Sequence, residues 1–480
     1  MSKVARGFFW SAVERFSVQG ISFILSIIIA RIVSPSAYGL IVMVQVFLSF
    51  SQLFIDGGFA NALIQKKDRN EIDYCTVFIF NMGVAVFLYL LLFFIAPFIA
   101  DFYEEPQLQL LTRVVSLDLV FSSLSIVQRT RLTINLDFKT QTKAGLTAVI
   151  VSGTIGVICA YCGLEVWALV VQGLVNQIVI SLMLMFYSHW HPRLCFSTVS
   201  FRQLFGFGSK LMVANILTSI YINLSNLIIG KKYTSGDLAF YNRGFTFSQF
   251  PSTNISETMN RVIYPMLTKV QDDQALLKSE YLKYLHLSHF VVLPLMGLLL
   301  VLAEPLIEFV LTEKWLDTVP YLQIFCINFM FYPILQQSSN PIAAIGHSGV
   351  LLKYQFLKRG VNLIILIYTL TIGIRAVCWG IAIGSLLETI VNIFLCRKEI
   401  GIGVRETIKS QIDVILSVLT ICILIFPIEM IFDSPLTKLV VCGAIGIGLY
   451  IFAAYLLNMP EKVYLDDFWA NIRKQNNIIK

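Results

Sequence analysis

The sequence predicts an all-α polytopic membrane protein of about fourteen transmembrane helices, and three observations carry that prediction. Hydrophobic residues make up 57% of the 480-residue chain, charged residues only 14%, and the mean hydropathy is +0.76. A soluble domain carries charge at about a quarter of its positions. The apolar residues also gather into runs long enough for a hydrocarbon core of about 30 Å, which takes roughly 20 residues per helix. Finally, Lys and Arg divide unequally between alternate loops, the asymmetry that orients a membrane chain.

In chain order the first eight runs are 6–32, 37–55, 75–100, 110–127, 144–161, 166–187, 211–230 and 238–266. The remaining six are 285–303, 319–345, 361–372, 377–395, 412–431 and 439–457. Residues 1–6 are short and basic, like the start of a signal peptide. The run that follows is too long, is interrupted by Glu14 and Arg15, and lacks a small-residue cleavage site, so it is expected to stay as a first helix. If the N-terminus, the even-to-odd loops and the C-terminus share one side, that side holds 26 of the 36 Lys and Arg residues, among them Lys66, Lys67, Arg69, Arg129 and Arg131. With Arg6 and Arg31, at the two ends of the first run, counted to the flanking sides, the opposite loops hold six and four (Arg15, Arg113, Arg243 and Arg261) fall inside spans. Both termini are therefore expected in the cytoplasm.

No metal or cofactor is expected. Cys159 and Cys162 form a C-x-x-C at the end of a span, with no second pair or flanking His. His286 and His289 share a helix face without carboxylates at ligand spacing.

An offset of 200 residues lays "IARIVSPSAYGLIV" on "IGKKYTSGDLAFYN" without a gap, each a helix end, a turn and a new helix start. That pattern predicts two pseudo-symmetric six-helix bundles, 1–203 and 204–405, joined through "HPRLCFSTVSFRQ", with two added helices and a tail in 406–480.

Within these helices the polar residues form stripes. At about 100° per residue, Ser11, Arg15, Gln19, Ser22 and Ser26 fall within a sector about 80° wide. Gln45, Ser49, Gln52 and Asp56 lie within about 60° on the second helix. Asn215, Ser219, Asn223 and Asn226 span about 80° on the seventh, and three of them are the 200-offset partners of Arg15, Gln19 and Ser26. On the eighth, Arg243, Asn254, Glu257 and Arg261 share a face about 60° wide, blurred by the kink expected at Pro251. A charge at the bilayer centre costs roughly 2.5 to 3.5 kcal/mol, so such faces are expected to line water between the halves rather than meet lipid. Bland readings stand beside this one: Arg15 reaching the interface or bridging helices, Asp56 as a solvated helix end, Arg261 as an interfacial anchor. Asp118 and Glu388 are mid-span, Glu388 without a stripe of its own. Asn328, Gln336, Gln337 and Asn340 give the tenth run a polar tract before Pro341, read either as a kink or as a cavity wall.

The segments "ARIVSPSAYGLIVMVQVFLSFSQLFIDGGFANALIQKKD", "NRVIYPMLTKVQDD" and "AAIGHSG" resemble the Wzx-type polysaccharide-unit flippases of the multidrug/oligosaccharidyl-lipid/polysaccharide exporter superfamily. The resemblance runs over nearly the whole chain and is strongest in the first 75 residues. It implies two six-helix bundles arranged as a V, like the drug-extruding members, and alternating access for an undecaprenyl-diphosphate-linked oligosaccharide. It also implies that cavity cations engage the acidic lipid-linked substrate, at Arg15, Arg243 and Arg261, with Lys210 less clearly matched. The guanidinium fork suits diphosphate oxygens, and the amides and hydroxyls of Gln19, Gln45, Gln52, Asn215, Asn223, Asn226 and Asn254 suit sugar hydroxyls. Glu14, Asp56, Asp118 and Glu257 are the candidates for coupling to a proton or sodium gradient, or for balancing the arginines. Implied partners are membrane lipids and the polymerase and glycosyltransferases of the same pathway, in the cytoplasmic (inner) membrane of a bacterium, with no role for nucleic acid. A drug/cation antiporter and a lipid II flippase are the rival transport readings. Polymerase or transferase chemistry would need a large external loop or a nucleotide-sugar motif; neither is present, nor is G-x-x-x-x-G-K-[ST], and no enzymatic activity is expected.

Overall fold

Every regular element among the described residues is a helix. The computed structural model describes residues 3–56, 58–188, 190–463 and 466. Side chains are described at these positions except 3–16, 207, 210, 211, 213–215, 217, 218, 220–222, 262, 348, 351, 352 and 356.

By packing the chain divides into two compact units, Met1–Ala239 and Phe240–Lys480. The first contains α1 (Lys3–Ile32), α2 (Pro35–Asp56), α3 (Phe59–Gln65), α4 (Glu71–Tyr103), α5 (Gln107–Val115), α6 (Leu117–Ile134), α7 (Phe138–Tyr161), α8 (Val166–Ser188) and α9 (Thr198–Lys232). α10 (Ser235–Lys269) runs into the second, which continues with α11 (Gln274–Val301), α12 (Ala303–Leu311), a 3-10 turn (Glu313–Thr318), α13 (Val319–Met330), α14 (Tyr332–Gln337) and α15 (Ser339–Ala344). α16 (Ser348–Ile372), α17 (Ile374–Ile400), α18 (Val404–Lys409), α19 (Ile412–Glu429) and α20 (Pro435–Leu456) complete it.

All fourteen apolar runs fall on helical structure. Eleven stretches among the described residues have the length and hydropathy to cross a membrane. The other three are α1, whose described apolar part is Ser17–Ile32, and α9 and α10, each 35 residues long, which carry the polar stripes. Large apolar side chains stand exposed on helix faces in place of polar ones: on α4, Phe87, Leu90, Phe94 and Phe98 share one outward side. Such a surface suits lipid and not water.

Local chemistry sets the boundaries. Asn70 accepts from the Asp73 amide at 2.9 Å, while Asp73 Oδ2 accepts from the Asn70 amide at 3.0 Å, a reciprocal cap that starts α4. Asp273 caps α11 through the amides of Ala275 and Leu276. α1 and α7 pack through a small-residue stripe. An added Cβ at Gly145 would lie 3.1 Å from a Val18 methyl, at Gly153 2.1 Å from a Leu25 methyl, and at Gly156 3.2 Å from Ile29 Cδ1. Side chains spaced seven and four residues apart on one helix thus fill hollows left by glycines on the other, the contact that lets membrane helices approach closely.

α9 packs against α2 and α3, and the backbones around them approach still more tightly. A Cβ at Gly39 of α2 would fall 1.7 Å from the carbonyl oxygen of Ser235, which starts α10, and one at Gly58, between α2 and α3, 2.4 Å from that of Gly208 on α9. α9 therefore packs in the first unit, although the 200-residue repeat assigns it to the half that begins at 204; packing and repeat are different partitions of the chain.

Candidate functional site

In the first unit a cavity of about 500 Å³ opens between α2, α3, α6 and α8. Its wall is built largely by one face of α6. Ser116 separates α5 from α6, so Asp118 stands in the first turn of a new helix, where a carboxylate complements the helix N-terminus. Ser122, Ser125 and Arg129 follow at spacings of four, three and four, which keeps all of them on the cavity side.

α2 contributes Gln52 and Asp56. Gln52 Nε2 donates to Asp56 Oδ1 at 3.2 Å, and Ser122 Oγ lies 3.1 Å from Gln52 Oε1. The amide thus links the α2 carboxylate to α6. Asn61 on α3, Thr130 on α6 and Gln177 on α8 complete the polar lining. Asp56 and Arg129 are exposed to the cavity and Asp118 is half-buried. Walled by two carboxylates, one guanidinium and several amides and hydroxyls, this space presents hydrogen-bonding groups of both senses.

Three residues singled out in the sequence, Gln52, Asp56 and Asp118, meet here. Arg129, Asn61, Ser122, Ser125, Thr130 and Gln177 escaped notice. The four-three-four polar spacing along α6 would have found Asp118, Ser122, Ser125 and Arg129, had Arg129 not been absorbed into the loop charge.

The other expected site residues are placed individually. Gln19 and Gln45 are exposed on α1 and α2. Asn223 Nδ2 donates to the Ser219 carbonyl at 3.0 Å, and Asn226 is half-buried. In the second unit Arg243 is buried at 8% exposure, with its guanidinium 5.5 Å from the Trp315 ring centre, a cation–π contact. Asn254 Nδ2 donates to the Phe250 carbonyl at 2.7 Å, Glu257 is half-buried, and Arg261 is exposed. The side chains of Glu14, Arg15, Lys210 and Asn215 lie outside the described residues.

Glu388, which has no polar stripe on its own helix, receives a hydrogen bond from Asn362 Nδ2 on α16. Beside it Lys358 Nζ donates to Asn392 Oδ1 at 2.6 Å. Gly384 leaves room for this network, since a Cβ there would come within 2.6 Å of Asn362 Oδ1. Asp118 does not pair with Arg113, whose Nε instead donates to the Phe93 carbonyl at 3.2 Å. No group of three or more His, Cys, Asp or Glu side chains that could hold a metal is found among the described residues.

This arrangement of helices is that of a membrane transporter fold. The structure superposes on the lipid II flippase MurJ in an inward closed conformation with a TM-score of 0.78, covering 94% of this chain and 98% of that one at 17% identity. It also matches the inward-facing conformation of a multidrug resistance MATE family transporter of the MOP superfamily, with a TM-score of 0.60, 14% identity, and 81% and 98% of the two chains covered. In sequence it is 25% identical to the lipopolysaccharide biosynthesis protein WzxC of Escherichia coli (strain K12), over 85% of this chain and 84% of that protein. The family model described as polysaccharide biosynthesis protein matches residues 28–320. The chain belongs to that family.

Proposed function

We propose that this protein is a flippase, moving an undecaprenyl-diphosphate-linked oligosaccharide from the cytoplasmic to the outer leaflet for surface polysaccharide assembly. The observation that carries the reading is the family match over more than half of the chain, joined to a fold shared with a lipid II flippase. The lipid tail stays in the bilayer while the head group crosses through polar space, and the halves defined by the 200-residue repeat alternate in opening to either side. The family resemblance supports placement in a bacterial inner membrane, and the loop charge supports cytoplasmic termini.

The polar cavity supports this reading in kind, since amides and hydroxyls suit sugar hydroxyls and Arg129 suits an anionic group. Arg15, Arg243 and Arg261 are the further cations assigned to the diphosphate. Asp56 and Asp118, which share the cavity, are the leading candidates for coupling to a proton or sodium gradient, with Glu14 and Glu257 behind them. The polymerase and glycosyltransferases of the same pathway are the expected partners. A drug/cation antiporter is the second reading, favoured by the two carboxylates in the cavity and by the MATE-like fold.

The test is deletion of the gene, followed by measurement of lipid-diphosphate-linked oligosaccharide in each leaflet together with surface polymer. Accumulation on the cytoplasmic leaflet with loss of polymer, reversed by the intact gene, establishes the flippase. Unchanged glycan pools with raised sensitivity to cationic drugs overturn it in favour of the antiporter.

A further inference from the structure

In the second unit three ionisable side chains distant in sequence meet at the buried ring of His286, two of them buried and the third, Asp413, half-buried. His286 of α11 is 6% exposed, and each of its ring nitrogens faces a carboxylate. Nδ1 lies 2.8 Å from Glu461 Oε1, in the segment after α20. Nε2 lies 3.2 Å and 3.3 Å from the two oxygens of Asp413, in the first turn of α19. Glu461 is 3% exposed, and its second oxygen has no hydrogen-bond partner.

This geometry fixes a proton count. A neutral imidazole carries one N–H, so it can donate to only one carboxylate, and its other nitrogen would turn a lone pair toward the second. The distances are satisfied when the ring carries both protons, or when one carboxyl is protonated. Either way the cluster holds one proton more than a neutral histidine and two carboxylates. With that proton its net charge is −1; without it, the buried Glu461 carboxylate and the Asp413 carboxylate, whose side chain is 28% exposed, face each other across a neutral ring with no cation between them. Among the described residues no Lys or Arg pairs with Asp413 or Glu461. The other titratable groups facing the cluster supply no charge. His289, one turn along α11, is buried and donates Nδ1–H to the Leu285 carbonyl at 3.1 Å. The Tyr450 hydroxyl of α20 donates to the Phe290 carbonyl at 2.8 Å.

We propose that His286, Asp413 and Glu461 form a proton-binding site that fastens α19 and the segment following α20 to α11. The bound proton is what permits two carboxylates to share one buried ring, because an uncompensated buried charge is strongly destabilising whereas a compensated one is tolerated. Loss of the proton releases the contact and frees the last two helices from this end of the second unit.

The folded site holds a proton that the unfolded chain gives up more readily, so stability must fall as pH rises. The experiment measures thermal unfolding of the full chain in lipid nanodiscs between about pH 6 and about pH 9, for the parent, Glu461→Gln and Asp413→Asn. Each amide keeps the shape and a hydrogen bond to a neutral ring while removing the need for the extra proton. The parent is expected to lose several degrees of Tm across the interval, and both variants to lose clearly less, ending above the parent at the alkaline limit. Equal slopes in all three proteins would overturn the proposal. So would poorer folding of both amide variants than of the parent, which would show the carboxylates serving a role that needs no proton.

Discussion

Arg129 shows how a single charge changes meaning between sequence and structure. In the chain it belongs to a basic segment with Arg131 and counts toward loop charge, yet it faces the cavity with Asp118, eleven residues earlier on the same face of α6. Its neighbour Arg131 points elsewhere, with its guanidinium 5.2 Å from the Tyr74 ring centre and 5.6 Å from that of Trp190. Arg129→Gln and Asp118→Asn are each expected to lower transport on the order of tenfold, the scale of one charged hydrogen bond, with normal amounts of protein in the membrane. Arg131→Gln should act on stability instead. Full transport by both cavity variants in the leaflet assay would remove the cavity from the substrate path. The sequence exposed Gln52, Asp56 and Asp118 because polar residues are conspicuous inside apolar runs. It hid Arg129 because a charge near the end of a run reads as topology, and it hid the partner of Glu388 because Asn362 stands on the preceding helix.

Among the helices, glycines decide which pairs approach closely. Gly153→Val would drive its branches into Leu25 and is expected to cost about 1 to 3 kcal/mol, the usual scale of overpacking. It should appear as a lowered Tm, relieved by Leu25→Ala in the double variant. At Gly39 the obstacle is the Ser235 backbone, which has no rotamer to adopt, so Gly39→Ala should be the harsher change and no side-chain truncation should rescue it. The joining segment is fixed in another way. Trp190 donates Nε1–H to Glu71 Oε2 at 2.7 Å and packs edge-on against Tyr74 and Phe78. Trp190→Ala is expected to destabilise the first unit by about 3 to 5 kcal/mol, measured by denaturation in detergent. Helix existence was legible from run length and caps such as Asn70 and Asp273. Helix pairing was not, because a glycine in the chain does not announce which neighbour it admits.

At the scale of the molecule, ion pairs join distant parts of one unit. Lys231, at the end of α9, lies 2.7 Å from Glu104, which follows α4, and holds that exposed carboxyl below its usual range. Because the folded-state value is depressed, the contribution is present above the ordinary carboxylate range and is lost as pH falls through the lowered value. The Tm difference between the parent and Glu104→Gln should therefore be largest near neutrality, shrink in strong acid, and diminish with added salt. The composition, the length of the apolar runs and the bias of loop charge determined by themselves that this is a many-helix membrane protein, because transfer into hydrocarbon depends on local composition and the bilayer fixes the length. The polar stripes showed which helices carry groups that lipid rejects. Only the tertiary structure decided that Asp56 and Asp118 share a cavity with Arg129, that α9 packs along α2, and that His286 finds two carboxylates 127 and 175 residues away. Those outcomes depend on which helix faces meet, and shape, small residues and charge compensation settle that across the fold rather than along the chain.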